Sequence, residues 1–239
     1  MVNALKRSDT SLGSEKIGYA GRLDPMADGI LLLLTGDENK KKSTYEQLPK
    51  TYTMQVLFGF STDSYDSMGL INKEADPTHL TPEIVEYALQ SVPTSFEQPY
   101  PPYSSKTIMG IPMYRLARSN KLNDKTIPVK TVTIVSRKFH SFELKTPADL
   151  IQNIRDRILM VSGDFRQCEI IGIWEKRLST TTIQQFPLVT IEATVTSGTY
   201  MRSLANTLGA AVKIPAIAFT ITRTAIGPYT VKEAQRFTL

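Results

Sequence analysis

The sequence predicts an α+β domain with a large mixed or antiparallel sheet flanked by helices. Strand-like and amphipathic helical segments follow one another without the regular βαβ alternation that is typical of a parallel sheet. The 239 residues could form one large domain or two small ones. No repeat, low-complexity tract or clear linker divides the sequence, so we expect a single domain over residues 1–239.

Six segments are predicted as strands because they are apolar, alternating or rich in β-branched residues. The first, residues 30–35, is an apolar run that we expect to be buried. In the second, residues 51–59, Tyr52, Met54, Val56 and Phe58 alternate with polar residues and share one face. The remaining four are residues 129–138, 168–174, 188–195 and 216–226.

Four segments are predicted as helices. Thr81-Pro82-Glu83 has the N-cap, first-turn proline and first-turn acid of a helix that runs to about residue 90. A short helix begins at Pro112 and ends near residue 118. Thr146-Pro147 opens a third helix that Gly163 ends, and the fourth spans residues 199–212. The predicted inward-facing residues of the last two are Leu150, Ile151, Ile154, Ile158, Met201, Leu204, Ala205 and Leu208.

Composition narrows the possible functions. The formal charge of +5 fits a polyanionic partner such as RNA. A single cysteine, Cys168, allows no intrachain disulfide, so we expect a reducing, cytoplasmic compartment. With two histidines, a Cys/His zinc cluster is excluded and a histidine-based triad is disfavoured. No apolar run approaches the roughly 20 residues of a membrane span, so no membrane partner is expected. With so few cysteines and histidines, no metal partner is expected either.

Residues 21–29, Gly-Arg-Leu-Asp-Pro-Met-Ala-Asp-Gly, are the strongest candidate for a catalytic loop. Asp24 lies in a tight turn that Pro25 stiffens, directly before the apolar run 30–35. A fold often presents a single reactive acid in this way, on a loop that is held by a rigid element. On local pattern alone, an ordinary structural turn is the commoner explanation.

Four segments in order resemble the TruB family of pseudouridine synthases. They are Gly18-Tyr-Ala-Gly-Arg-Leu-Asp-Pro-Met-Ala-Asp-Gly29; Lys50-Thr-Tyr-Thr53 with Gly59, Thr62-Asp63 and Asp66-x-x-Gly69; Gln98-Pro-Tyr-Pro-Pro-Tyr-Ser-Ser-Lys106 with Gly110 and Tyr114-x-x-Ala117-Arg118; and Ser197-Gly-Thr-Tyr-x-Arg-Ser-Leu204 with Leu208-Gly209 and Arg223-Thr-Ala-Ile226. Together they extend over most of the chain and imply the pseudouridine synthase fold.

The resemblance implies three catalytic residues. Asp24 would be the nucleophile on a uridine that is flipped out of the RNA stack. Arg202 would pair with Asp24 and keep it ionised and oriented. Tyr52 would stack on the flipped uracil and take part in removing the C5 proton. The alternatives from pattern alone are an exposed helical position for Arg202 and core packing for Tyr52. No metal or cofactor is implied.

The same resemblance suggests residues that contact the RNA. They are Tyr19, Arg22, Leu23, Lys50, Lys106, Arg118, Tyr200 and Ile221. Ile221 is described equally well as a core residue. Lys106 and Arg118, with the run Lys40-Lys41-Lys42, are candidate phosphate contacts that could equally be solvated surface.

The sequence departs from the family pattern at several places. Tyr19 stands where the family usually has histidine. The Lys-Pro-x-Gly-x-Thr-Ser motif is not found before residue 18, so we expect the sheet to lack an edge strand. We also expect no C-terminal PUA domain. Residues of about 145–182 resemble an insertion, which would either grip RNA or form a structural lobe.

The implied function is a tRNA pseudouridine synthase that acts on the T-loop uridine (position 55), binds the T-arm and is a monomer. The Arg-Leu-Asp sequence around Asp24 is also similar to the RsuA and RluA branches, which leaves an rRNA synthase as one alternative. A catalytically silent RNA-binding or RNA-folding protein is another.

Overall fold

The computed structural model describes residues 16–123 and 126–235. The strands are β1 (Ile17–Ala20), β2 (Asp28–Gly29), β3 (Leu32–Thr35), β4 (Lys50–Phe58), β5 (Phe60–Thr62), β6 (Ile71–Glu74), β7 (Ser95–Pro99), β8 (Thr107–Ile108), β9 (Ile111–Pro112), β10 (Val129–Lys145), β11 (Phe186–Val195), β12 (Ala216–Ile226) and β13 (Tyr229–Thr230). The helices are α1 (Lys42–Gln47), α2 (Pro82–Ser91), α3 (Met113–Arg118), α4 (Pro147–Met160), α5 (Gln167–Thr180) and α6 (Met201–Val212), with a 3-10 helix over Gly36–Lys41.

A seven-stranded sheet forms the centre of the fold. Its main order is β13-β12-β4-β11-β10-β7, and every pairing along that path is antiparallel. Short β2 pairs in parallel with β12, where Asp28 lies opposite Thr222. The long antiparallel strands and the absence of βαβ alternation along them confirm the α+β prediction.

Side chains on the two faces of β4 enter different cores, as strand periodicity requires. Met54, Val56 and Phe58 face one way and belong to the core that includes residues of α2 and α6, such as Leu89 and Leu208. The other core contains Leu57, Phe60, Ile154, Ile170 and Trp174 among its members. It joins the opposite face of the sheet to α4 and α5. Helices therefore cover both faces.

The α4–α5 hairpin, residues 147–180, corrects one strand prediction. Residues 168–174 were expected to be extended, but they lie in α5. The spacing of the buried residues Ile170, Trp174 and Leu178 explains the difference, because a repeat of four places them on one helical face. The predicted apolar stripe of α4 is confirmed, with Leu150, Ile154 and Ile158 buried.

Smaller differences concern element boundaries. The charged segment that follows the apolar run forms the 3-10 helix and α1. Strand β3 begins at Leu32 and pairs with β1, and most of its residues are half-buried. Strand β10 continues to Lys145. The edge strand expected to be missing concerns residues before 16, which lie outside the described residues.

Candidate active site

Asp24 lies on a loop that is held at both ends by one buried arginine of β12. The Arg223 side chain donates from Nε to the Ile30 carbonyl at 2.8 Å and from Nη2 to the Gly21 carbonyl at 3.0 Å. Arg223 is 1% exposed. The Gly29 backbone, at φ 103°, approaches so closely that an added Cβ would lie 2.2 Å from the Arg223 carbonyl oxygen. The loop is therefore fixed against the sheet.

Arg202 and Asp24 form a two-pronged ion pair across 178 residues of sequence. Nε donates to Oδ2 and Nη2 donates to Oδ1, both at 2.9 Å. The Arg202 side chain is 3% exposed, whereas that of Asp24 is 27% exposed. This geometry fixes the plane of the carboxylate. The exposed helical position considered for Arg202 is wrong.

Helix α6 places the Arg202 side chain because Arg202 is its second residue and side chains tilt toward a helix N-terminus. The chain turns into α6 through a bond from Thr199 Oγ1 to the Thr196 carbonyl at 2.8 Å. The Gln98 side chain accepts a hydrogen bond from the Tyr200 amide at 3.1 Å. These contacts set the direction in which the guanidinium enters the site.

The Arg202 guanidinium also donates to two backbone carbonyls and lies close to a second acid. Nη1 donates to the Ser64 carbonyl at 2.9 Å, and Nη2 also donates to the Tyr103 carbonyl at 3.3 Å. Asp66 Oδ2 lies 3.6 Å from Nε. Burial opposes the charged form of Arg202, yet Asp24 and Asp66 together raise its pKa above the ordinary value. The guanidinium is thus shared between two carboxylates.

Asp66 is the more deeply buried acid of the two. Its Oδ1 accepts hydrogen bonds from Ser64 Oγ at 2.6 Å and from the Met68 amide at 3.0 Å. Burial raises the pKa of Asp66 to about 6, although Arg202 and Ser64 act in the opposite direction. Asp66 lies behind Arg202, and it is not among the cavity-lining residues.

Tyr52 lies beside Asp24 and opposite Arg223 in the β4–β12 register. Its ring packs against the first core and also lines the cavity. Burial raises the pKa of the Tyr52 hydroxyl, with a smaller opposing effect from Arg223. The side chain therefore remains a neutral phenol at physiological pH, and core packing and a cavity-facing position are both satisfied.

A cavity of about 380 Å³ opens over Asp24. It is within the range typical of small-ligand sites. Seven of the predicted site residues line it, namely Arg22, Leu23, Asp24, Lys50, Tyr52, Tyr200 and Ile221. Other lining residues belong to the family-like segments but were assigned no role from the sequence; they include Tyr100, Ser197, Gly198 and Arg223. The structure thus brings together an acid, aromatic rings and cations.

Lys50 contributes a cation at one wall of the cavity. Its Nζ donates to the carbonyls of Glu46 and Leu48, the latter at 2.7 Å. Burial lowers the pKa of Lys50 to about 8, and Arg223 adds to this effect. Lys130, which the sequence did not indicate, donates to the Ser197 carbonyl at 2.8 Å close to this wall.

Three predicted RNA-contacting residues lie outside the cavity lining. The Tyr19 hydroxyl accepts a hydrogen bond from Arg22 Nη2 at 3.1 Å. The Lys106 ammonium lies 5.3 Å from the centre of the Tyr100 ring. Arg118 Nη2 donates to both carboxylate oxygens of Asp164 at 2.7 Å.

The run Lys40-Lys41-Lys42 is also engaged in ion pairs. Each of its members pairs with an acid three or four residues away, as in Lys40–Asp37, Lys41–Glu38 and Lys42–Glu46. Such exposed pairs contribute little to stability, so an incoming phosphate can compete for these lysines.

Comparison with known proteins identifies a family. Residues 9–155 match the model of the TruB family pseudouridylate synthase N-terminal domain. A protein named tRNA pseudouridine synthase B from Nitratidesulfovibrio vulgaris (strain Miyazaki F) is 31% identical over 224 residues, which cover 93% of this chain and 58% of that protein. Its namesake from Deinococcus radiodurans is 29% identical over 232 residues, 97% of this chain and 71% of the relative.

Two solved structures share the fold. A Cbf5-Nop10-Gar1 complex gives a TM-score of 0.53 at 16% identity, covering 96% of this chain and 45% of that chain. An H/ACA RNP bound to a substrate RNA that contains 2′-deoxyuridine gives a TM-score of 0.52 at 14% identity, covering 96% of this chain and 43% of that chain. The chain spans 58% of the length of the N. vulgaris protein and 58% of that of its counterpart from Oleidesulfovibrio alaskensis, which is also named tRNA pseudouridine synthase B.

Proposed function

The chain belongs to the TruB family of pseudouridylate synthases, and we propose that it converts a uridine of tRNA into pseudouridine. The two-pronged Asp24–Arg202 pair at the base of the cavity carries this proposal. The names of the relatives, tRNA pseudouridine synthase B, support the choice of tRNA as substrate. We propose the T-loop uridine as the target, with the protein acting in the cytoplasm as a monomer that binds the T-arm.

In the proposed reaction, the ionised Asp24 carboxylate is the nucleophile. The uridine flips into the cavity, and the Asp24 carboxylate bonds to C1′ as the N1–C1′ bond breaks and its electron pair stays on the uracil. The uracil turns, C5 attacks C1′ and displaces the carboxylate, and the C5 proton is then lost while N1 takes up a proton. Atoms and electrons balance within the substrate, so the reaction requires no external oxidant or reductant.

The surrounding residues support that role in physical terms. Arg202 binds both oxygens of the carboxylate from its buried side, while the partial exposure of Asp24 leaves room for a substrate on the cavity side. The guanidinium lies 2.9 Å from each carboxylate oxygen and fixes the plane of the acid. Tyr52 and Tyr200 offer aromatic faces to the base, and a flipped base stacks on such side chains.

The test compares tritium release from unmodified tRNA labelled with [5-³H]uridine. The wild type should release tritium, whereas Asp24→Asn should release none and still bind the tRNA within about tenfold, because the substitution changes little shape. Asp28→Asn is the matched control, since Asp28 is an exposed acid of β2, four residues after Asp24, and it should retain activity.

The other outcomes select among the alternatives. Release by Asp24→Asn at the wild-type rate would require a different nucleophile. Release from rRNA but not from tRNA would favour an rRNA synthase. Tight RNA binding without release from either would favour a catalytically silent RNA-binding protein.

A further inference from the structure

Arg166 joins the α4–α5 hairpin to the back of the candidate active site. It lies in the loop between the two helices, and its side chain is 15% exposed. Nη1 donates to Asp63 Oδ2 at 2.8 Å, and Nη2 donates to Oδ1 at 3.3 Å. The guanidinium lies 4.7 Å from the centre of the Tyr103 ring, and the Tyr103 hydroxyl donates to Asp63 at 2.9 Å. The three side chains form a closed cluster.

This cluster connects the two backbone segments that accept hydrogen bonds from Arg202. Asp63 immediately precedes Ser64, whose carbonyl accepts from Arg202 Nη1 at 2.9 Å. The Tyr103 carbonyl accepts from Arg202 Nη2 at 3.3 Å. Any shift of the Asp63 turn relative to the Tyr103 loop would therefore move the acceptors that orient the guanidinium.

The backbone at Arg166 indicates that its position is strongly constrained. Its φ of 63° lies in the left-handed region, which is unfavourable for a residue with a Cβ. Such conformations persist where surrounding contacts over-determine them. Here the Gln167 side chain donates to the Val161 and Gly163 carbonyls and accepts from the Phe165 amide. The loop is thus braced from within as well as by Asp63.

We propose that Arg166 is a positioning residue, resting on the proposed function: it holds Asp63 and Tyr103 in register so that Arg202 presents both donors squarely to Asp24. The hairpin then supports the active site, which is the structural alternative of the two that the sequence left open for residues of about 145–182, the other being RNA grip. An RNA phosphate would have to displace Asp63 to reach the Arg166 donors. By contrast, the Arg118–Asp164 pair of the same region is 44% and 78% exposed.

The first test is Arg166→Ala against the matched control Arg177→Ala. Arg177 also ties the hairpin to the rest of the fold, through Glu74 at 3.2 Å, but its pair is 56% and 40% exposed and does not contact the Arg202 acceptors. Single-turnover tritium release by Arg166→Ala should fall by roughly ten- to a hundredfold, because small misplacement of a reacting group is costly. Its Kd for tRNA should stay within about twofold, and Arg177→Ala should match the wild type in both.

Arg166→Lys separates charge from geometry and guards against a variant that fails to fold. Lysine keeps the charge but loses the planar second donor and the stacking on Tyr103. We expect its release rate to lie between those of the wild type and Arg166→Ala. A raised Kd with an unchanged release rate would overturn the proposal and support RNA grip by the hairpin.

A second readout does not depend on activity. The Arg202 Nε–H resonance, assigned by its loss in Arg202→Lys, should shift or broaden in Arg166→Ala and remain unchanged in Arg177→Ala. An unchanged resonance in Arg166→Ala would overturn the proposal even if activity fell. If the wild type releases no tritium from any RNA, the proposed function fails, but this resonance still decides whether Arg166 positions Arg202.

Discussion

Arg202→Ala is the substitution that most directly tests how the Asp24 carboxylate is held. It removes both donors to Asp24, together with the donors to the Ser64 and Tyr103 carbonyls. It also leaves Asp66 without the cation that lies 3.6 Å away. The Arg202 side chain is 3% exposed, so its removal would leave a buried gap lined by two carboxylates and two carbonyls.

The expected loss of stability follows from this inventory. Removing one partner of a buried ion pair typically costs about 3–5 kcal/mol. The lower end applies here, because Asp24 is partly exposed and can be rehydrated, and because Asp66 can take up a proton. A loss of about 3 kcal/mol lowers the Tm of a domain of this size by about 6–12 °C. Tritium release should fall at least a hundredfold, since the carboxylate loses its fixed orientation.

Calorimetry and tritium release measure the two effects on the same samples. Arg155→Ala is the control, because Arg155 pairs with Glu175 at 2.8 Å on an exposed surface and should cost under about 1 kcal/mol. Arg202→Lys should recover part of the Tm but little of the rate, because an ammonium cannot reproduce the two-pronged bond. A Tm within 2–3 °C of the wild type, or more than a tenth of its activity, would refute this account of Arg202.

Two further predictions concern Asp66 and Gly29. Burial raises the pKa of Asp66 to about 6. Between about pH 4 and 6 the folded state therefore holds a proton that the unfolded state has lost. The free energy of unfolding of the wild type, relative to that of Asp66→Asn, should fall by about 3 kcal/mol as the pH rises through that range. Urea unfolding at pH 4 and pH 7.5 measures this difference, and a pH-independent difference would contradict it. Gly29→Ala should cost about 3 kcal/mol in urea unfolding, because the added Cβ meets the Arg223 carbonyl at a positive φ. Gly172→Ala, at an exposed position of helix α5 where an added Cβ meets nothing within 4 Å, should be neutral or stabilising.

The Asp24 loop could be predicted from sequence because its signals are local. A proline, two flanking glycines and an apolar run within fifteen residues are sufficient to indicate a rigid acid-bearing turn. Its pairing with Arg202 is not local, since 178 residues intervene. Spacing alone favoured an exposed helical face for Arg202, and only the resemblance of four ordered segments indicated the pair that the structure confirms.

The error at residues 168–174 has a different cause. Over seven residues, the apolar run from Ile170 to Trp174, which is rich in β-branched residues, resembles a buried strand. The helical repeat becomes visible only when Leu178 is included, and burial of one face against the sheet then decides the conformation. A short window could not distinguish the two periods, and a mid-helix glycine made the strand interpretation more attractive.

The sequence did not indicate what Arg223 and Arg166 hold, for a reason that applies to other acid-bearing loops. Backbone carbonyls in a tight loop do not form the inter-strand hydrogen bonds of a sheet. When such carbonyls are buried, they need donors from elsewhere. Here the Gly21 and Ile30 carbonyls obtain them from Arg223, while Ser64 and Tyr103 obtain theirs from Arg202. Because a guanidinium carries five donors, one arginine can join two segments of backbone. Which two segments it joins cannot be predicted from its position in the sequence. What the sequence does show is an arginine within an apolar strand, as at Arg223 in β12. A charge that costs so much to bury is retained where it holds backbone in place, so such arginines are the residues to examine first around a catalytic loop.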